Sequence, residues 1–504
     1  MPDADDLVLA VDQGTSSTKA VLIDADGRVL SRGSAALAER HPRPGFVEQS
    51  PVELWDSVVA AVAACVPPTA ADRVVGVGFS TQRESLLLWD RATGAPLGPM
   101  LSWQDQRTAA DCAALVEAGV GDVVHELSGL PLDPMFSALK ARWLLDTYDP
   151  DRRRSRAGEL CLGTVDSWLL HCLAGVHVTE VGNASRTQLL DLSTGDWSAR
   201  LLEIFAVPRE VLADVVASDG PFPAVRGLAP LREGTPVLAV LGDSHAALFA
   251  HAGWRPGVVK ATYGTGSSVM TCAAEASRRS SGLCRTIAWS AQGERPTLAL
   301  EGNIRSSGQT LMWLSGLFDT TPDVLLDEAA KSSADGVHLV PAFNGLGAPW
   351  WDASAVAVVE GLTLGTRRSQ LARAAVEGII FQVEDVVAEV ERSQGHVDML
   401  VVDGGLSRND DLLQLQADLT GRRLRRPADH DLSAVGAASL AGLAAGLWDR
   451  EVLEHRASPG RQAAQFAPSP SSTTPDRAAA LSGWHAAVDR ARGIGSTPAS
   501  RRSA

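Results

Sequence analysis

The sequence predicts an α/β protein of two related domains, on three observations. Apolar, strand-like runs alternate with helical patterns along both halves of the chain. A Gly/Ser/Thr turn between two apolar runs occurs twice, once in each half. The length, 504 residues, exceeds what a single hydrophobic core usually organises.

Taken in order, Leu7-Val8-Leu9-Ala10-Val11 reads as a strand that delivers Asp12 into the turn Gln13-Gly14-Thr15-Ser16-Ser17-Thr18. Lys19-Ala20-Val21-Leu22-Ile23 leads back. Apolar residues at three- and four-residue spacing predict helices over Glu53 to Ala64 and Phe136 to Leu145. Val74 to Phe79 and Pro236 to Leu241 read as strands, with Pro221, Pro223 and Pro230 marking a loop-rich approach to the second. These elements make a first domain over residues 5–252. A turn-like break, Gly253-Trp254-Arg255-Pro256-Gly257, opens a second domain over 253–448. There Val258 to Thr262 leads into Tyr263-Gly264-Thr265-Gly266-Ser267-Ser268, then Val269-Met270. Met399 to Val402 reads as a buried strand ending at Asp403-Gly404-Gly405. Residues 449–504, rich in Pro, Ser, Ala, Thr and Arg, are expected to form a partly disordered tail. It holds one weakly helical patch from Arg477 to Arg492, and 493–504 are expected to be disordered.

Composition excludes several classes. A net charge of −15 argues against nucleic-acid binding, which needs concentrated positive charge. No apolar run reaches membrane length, and residues 1–6 lack the features of a signal peptide. Cys65, Cys112, Cys161, Cys172, Cys272 and Cys284 are scattered without metal-ligand spacing, which suits free thiols in a reducing compartment. The expected location is cytoplasmic. Against many arginines stand only four lysines, Lys19, Lys140, Lys260 and Lys331, so each retained lysine carries information.

The two turns suit phosphate. Small residues let backbone N–H groups and hydroxyls close around phosphate oxygens, and Asp12 at a strand end can hold a cation between them. Asp243 follows a strand and precedes the helical Ala246 to Ala250, so it sits where α/β sheets bind ligands, although such an Asp also serves as a helix cap. Arg83-Glu84 follow another strand; a forked donor beside an acceptor suits a hydroxyl-rich ligand, and a surface ion pair is the plain alternative. Trp103 offers a face to the C–H groups of a polyol, or simply fills core. Gly308, and Gly404-Gly405 with Asn409, allow close backbone approach to a nucleotide. Neither a Walker A loop nor a G-x-G-x-x-G after the first strand is present.

The order of these pieces resembles the FGGY family of carbohydrate kinases, and within it the glycerol kinases most closely. The resembling stretches include VDQGTSSTKAVLID, STQRESLLLWDRATG, TEVGNASRTQLLDL, GDSHAALFA, ATYGTGSS, VPAFNGLGAPWWD, VDGGLSRND and GAASLAGLAAG, collinear over roughly residues 7–448. The resemblance implies two duplicated actin-like, ribonuclease-H-like ATPase domains with MgATP and the acceptor in an interdomain cleft. It implies that Gly14, Thr15, Ser16, Ser17 and Lys19 contact ATP phosphates, and that Thr265, Gly266, Gly308, Met312, Gly405 and Asn409 contact the nucleotide from the second domain. Asp12 and Asp243 would position Mg²⁺. Asp243 would be the general base, binding the acceptor together with Arg83, Glu84, Trp103, Met135, Ser244 and Ser268. Homodimers or homotetramers are common among such relatives.

Three of these positions depart from glycerol kinases, which place tyrosine at Met135, glutamine at Ser244 and phenylalanine at Ser268. Met312 likewise stands for a glutamine and Lys19 for an arginine. The retained Arg83-Glu84 favours a small polyol, glycerol first. The alternatives are a four- or five-carbon sugar alcohol, or a ketopentose as in xylulokinases. A different class, a non-catalytic ATP-dependent sensor on the same fold, is weighed against the joint presence of Asp12, Asp243, Arg83 and Glu84.

Overall fold

The computed structural model describes residues 5–255, 257–274, 282–397, 399–458 and 463–493. They divide into two compact units. The first takes the residues up to Trp254 with Arg285–Ala299 and Asp431–Ser458; the second takes Arg255–Cys284, Leu300–His430 and those from 463 onward.

The first unit is built on β1 (Leu7–Gln13), β2 (Ser17–Asp24), β3 (Val29–Ala36), helix α1 (Pro51–Cys65), β4 (Val74–Thr81), β5 (Val237–Gly242) and helix α2 (Asp243–Ala250). Its sheet runs β5-β4-β1-β2-β3, an antiparallel meander extended by two strands parallel to β1. Helices cover it, so Leu7 to Val11 are wholly buried and read as a continuous apolar run. Helix α1 starts two residues before the expected Glu53 because the Ser50 hydroxyl accepts the Glu53 N–H (3.3 Å) and Pro51 suits a first turn.

The second unit repeats the plan. Its elements are β6 (Val259–Tyr263), β7 (Ser267–Cys272), β8 (Thr297–Ile304), α3 (Gly308–Leu317), α4 (Arg368–Gln394), β9 (Met399–Gly404), α5 (Asp410–Thr420) and β10 (Arg423–Arg426). The order β8-β7-β6-β9-β10 matches that of the first sheet read from its β3 edge, β3-β2-β1-β4-β5, with β6 antiparallel to β7 and parallel to β9. The repetition seen in two turns therefore extends to whole sheets.

The compact units cut across the expected spans in two places. The helix Leu432–Ala444, deep in the second half of the sequence, packs in the first unit on β4 and α2. Small residues make this possible: a Cβ on Gly436 would lie 1.8 Å from the Ala246 carbonyl oxygen, and one on Gly78 would lie 2.4 Å from that of Ala437. Gly436→Val should push this helix off α2, which carries Asp243. Thermal melting should show a loss of about 1–3 kcal/mol.

The second place is the tail expected over 449–504, whose helical patch is present but which is otherwise more ordered than expected up to Gly493. Arg450–Ala457 is a helix of the first unit, where the Trp448 indole and Arg456 both donate to the Ala25 carbonyl (2.8 and 3.0 Å). Ala464–Phe466 adds an antiparallel strand to β10, and the helix Thr474–Ala491 packs on α4. Trp484, 1% exposed, stacks on Phe381 and donates to Asp385 (2.8 Å). Buried Trp484, Ala487, Val488 and Ala491 follow helical spacing, a stripe that the Ser/Ala/Arg-rich composition masks. The expectation of disorder over 493–504 falls, past Gly493, outside the described residues. All six cysteines are free thiols, and no described helix is long and apolar enough to cross a membrane.

Candidate active site

In the first unit the parallel strands β1, β4 and β5 end side by side. Asp12 is paired with Ser80, and Thr81 with both Gln13 and Gly242. Carboxyl ends of parallel strands leave unpaired backbone groups, which is why α/β sheets bind ligands there. Asp12 accepts from the Ser80 hydroxyl (2.8 Å). Burial, joined by the Asp243 carboxylate, pushes the Asp12 carboxyl up to about 6 against the lowering effect of Ser80.

Helix α2 begins at Asp243, three residues before the expected Ala246, with extended Gly242 as its cap residue. Asp243 therefore does not serve as the cap; it stands in the first turn, where the helix dipole favours a carboxylate. Its Oδ1 accepts from Arg83 Nε (2.9 Å) and from the Ser244 N–H (2.6 Å). Among the described residues Oδ2 takes no hydrogen bond, and the side chain is 38% exposed. One oxygen is anchored and the other is presented.

Arg83 and Glu84 are both buried, which removes the surface ion-pair alternative. Arg83 also donates to the Ser244 hydroxyl (3.1 Å), while Glu84 accepts from Arg186 Nε (2.6 Å). Glu84 adopts φ 63°, a left-handed conformation that costs a non-glycine residue about 1–3 kcal/mol and is kept only where surrounding contacts enforce it. Here the Ser137 hydroxyl donates to its carbonyl (2.8 Å) and Arg186 holds its carboxylate. The Trp103 indole donates to the Thr15 hydroxyl (3.0 Å), joining this residue to the first Gly/Ser/Thr turn. Met135 is buried, and its carbonyl accepts from Lys140 Nζ (2.6 Å).

Sequence reasoning missed Arg186 and Lys140, both wholly buried. Arg186 lies within a stretch that carries the family resemblance, and Lys140 is one of the four lysines. Neither adjoins a recognisable ligand turn, so only their partners across the fold reveal them.

Both turns close on one backbone bond, Gly14 N–H to Ser17 carbonyl (3.0 Å) and Gly264 N–H to Gly266 carbonyl (2.8 Å). Thr15 and exposed Ser16 form the first tip. Lys19 stands opposite Asp12 in the β1–β2 register, with its ammonium on Asp431 (3.1 Å), which also receives Arg32 (3.2 Å).

In the second unit the remaining expected residues gather at the ends of β6 and β9. The Thr265 carbonyl accepts the N–H groups of Ser307 and Gln309 (2.9 and 3.1 Å), seating the turn on the start of α3. A Cβ on Gly308 would lie 2.7 Å from the Gly264 oxygen, and one on Gly266 would lie 2.3 Å from that of Ile304. Tyr263 pairs with Gly404, which has φ 91° and no room for a side chain; the strict glycine is Gly404, whereas Gly405 is open. Asn409 caps α5 by accepting the Leu412 N–H (2.8 Å), and its amide donors remain. Met312 is 62% exposed on α3. Ser268 donates to buried Glu301 (2.7 Å).

Models of the FGGY family of carbohydrate kinases match the chain, the N-terminal domain over residues 7–250 and the C-terminal domain over 259–445. A glycerol kinase of Aromatoleum aromaticum is 42% identical over 96% of this chain and 99% of its own length. One of Citrifermentans bemidjiense is 41% identical over 88% and 92%. Among solved structures, Plasmodium falciparum glycerol kinase with ADP superposes with a TM-score of 0.86 at 28% identity, covering 96% of this chain and 98% of that one. A xylulose kinase from Lactobacillus acidophilus shares the fold with a TM-score of 0.84 at 20% identity, over 97% and 99%.

Proposed function

We propose that this chain, which belongs to the FGGY family of carbohydrate kinases, transfers the terminal phosphoryl group of ATP to a hydroxyl of glycerol, with Asp243 as the base. The observation that carries this reading is the half-anchored carboxylate: Arg83 and the Ser244 N–H fix Oδ1, while Oδ2 is free to accept an acceptor hydroxyl. Phosphoryl transfer asks little covalent chemistry of a protein; it needs in-line placement, charge neutralisation and an oriented nucleophile that loses its proton.

Glu84 and Arg83 orient the remaining hydroxyls, one accepting and one donating, and Trp103 packs against the carbon chain while bonded to Thr15. The backbone N–H groups and hydroxyls of Gly14, Thr15, Ser16 and Ser17 receive phosphate oxygens, with Lys19 adding charge. In the second unit Thr265, Gly266, Gly308, Met312, Gly405 and Asn409 contact the nucleotide. Asp12 and Asp243 fit Mg²⁺: the Asp12 carboxyl is raised partly by Asp243, a repulsion that a divalent cation relieves, and Mg²⁺ characteristically takes few carboxylates. When bound, the ion neutralises phosphate charge.

The departures shape specificity. Ser244 is shorter than glutamine and is taken by Arg83, Met135 has no donor, and Ser268 replaces an aromatic ring. A pocket so changed should accept a slightly longer polyol with modest discrimination. Turnover over glycerol, tetritols, pentitols and ketopentoses in a coupled ADP assay is the test. Glycerol should give the highest kcat/KM, with tetritols within about 10–200-fold. Preference for a ketopentose overturns the polyol reading, and no acceptor-stimulated ADP release with any of them favours a nucleotide sensor.

A further inference from the structure

Lys140 lies in the helix Ser137–Tyr148 with no exposed surface. Burying an ammonium is costly unless charge and hydrogen bonds compensate. Its hydrogen-bond partners are two backbone carbonyls from separate segments, Met135 (2.6 Å) and Trp103 (3.3 Å). Burial lowers its pKa to about 8, opposed by the nearby carboxylates of Asp105, Glu84 and Asp133 and reinforced by Arg107. Three carboxylates thus hold the charge in place, while the donors go to the main chain of the residues expected to line the acceptor.

We propose that Lys140 is a positioning residue that sets the width of the acceptor pocket by tying the backbones of Trp103 and Met135 to one buried ammonium. The inference rests on the acceptor reading above. Trp103 lies in a loop that is also fastened through its indole to Thr15 and through its N–H to the Ser85 hydroxyl (3.0 Å). Met135 precedes the helix, its N–H bonded to Asp133 (2.9 Å). Lys140 is the point at which these two otherwise separate anchorings meet. The lysine fixes the span across which an acceptor must fit, and Met135, with an adaptable thioether side chain, lines a site whose backbone is held rigid.

The test compares wild type, K140M and K140Q with whichever acceptor wild type uses best, so a wrong choice of acceptor fails separately, at the panel of polyols and sugars. Met conserves volume and removes the charge and donors; Gln retains a donor for one carbonyl. Acceptor KM should rise at least tenfold in K140M and to an intermediate value in K140Q, while KM for ATP stays within twofold. The ratio of kcat/KM between glycerol and a tetritol should also fall by severalfold in K140M as the span loosens. An acceptor KM within twofold of wild type overturns the proposal. So does a parallel loss of kcat, ATP affinity and melting temperature, or failure of both variants to fold, because each assigns Lys140 to general stability.

Discussion

Asp243→Asn lowers acceptor-dependent ADP release by about 10²–10⁴-fold, the range a positioned base contributes. Asn has nearly the same shape, its oxygen still accepts from Arg83 and the Ser244 N–H, and α2 keeps its start. What disappears is the capacity of the second atom to take a proton. Acceptor and ATP binding should therefore change far less than kcat, which separates loss of a base from loss of a pocket. Steady-state kinetics with calorimetric ATP binding decides it. A variant that keeps near wild-type turnover removes Asp243 from the chemistry, and one that loses ATP binding as strongly as turnover makes it chiefly a metal ligand.

Trp484→Ala costs about 3–5 kcal/mol of stability, the toll of removing a large buried ring. Trp484 is 1% exposed, stacked on Phe381, and it donates to buried Asp385. Truncation leaves a cavity against α4 and strips a hydrogen bond from a carboxylate that then relies on His485 (2.7 Å). Chemical unfolding followed by far-ultraviolet circular dichroism should show the midpoint moving sharply down, with the slope unchanged. A loss below about 1 kcal/mol would show that the C-terminal helix is an appendage after all.

The site's ingredients were largely legible. Asp12, Arg83, Glu84 and Asp243 each follow an apolar run closely enough to be placed at the end of a strand, and parallel strands collect such residues at one edge. The partnerships were not legible. Arg83-Glu84 reads as a pair, yet the fold turns one residue to Asp243 and the other to Arg186, 102 positions away in the chain. Contacts at such separation leave no local period or spacing. The same holds for Lys140, recognisable only as a rare lysine until two carbonyls are found on it.

The packing of the chain's last segments was hidden for a related reason. Composition marked residues 449–504 as a tail with one helical patch over 477–492; the patch is the helix 474–491, but its docking and the strand 464–466 came from burial, because four apolar residues at helical spacing suffice to bury one face. The family and the repeated α/β plan follow from the sequence alone, since motif order and apolar periodicity are properties of neighbours along the chain. Tertiary structure alone decided that Leu432–Ala444 belongs with the first unit, that Glu84 is held in a strained conformation, and that Asp243 keeps one oxygen free. The first depends on backbone approaches that Gly436 and Gly78 permit, the others on the side chains of Ser137, Arg186 and Arg83, and no stretch of sequence brings these atoms together.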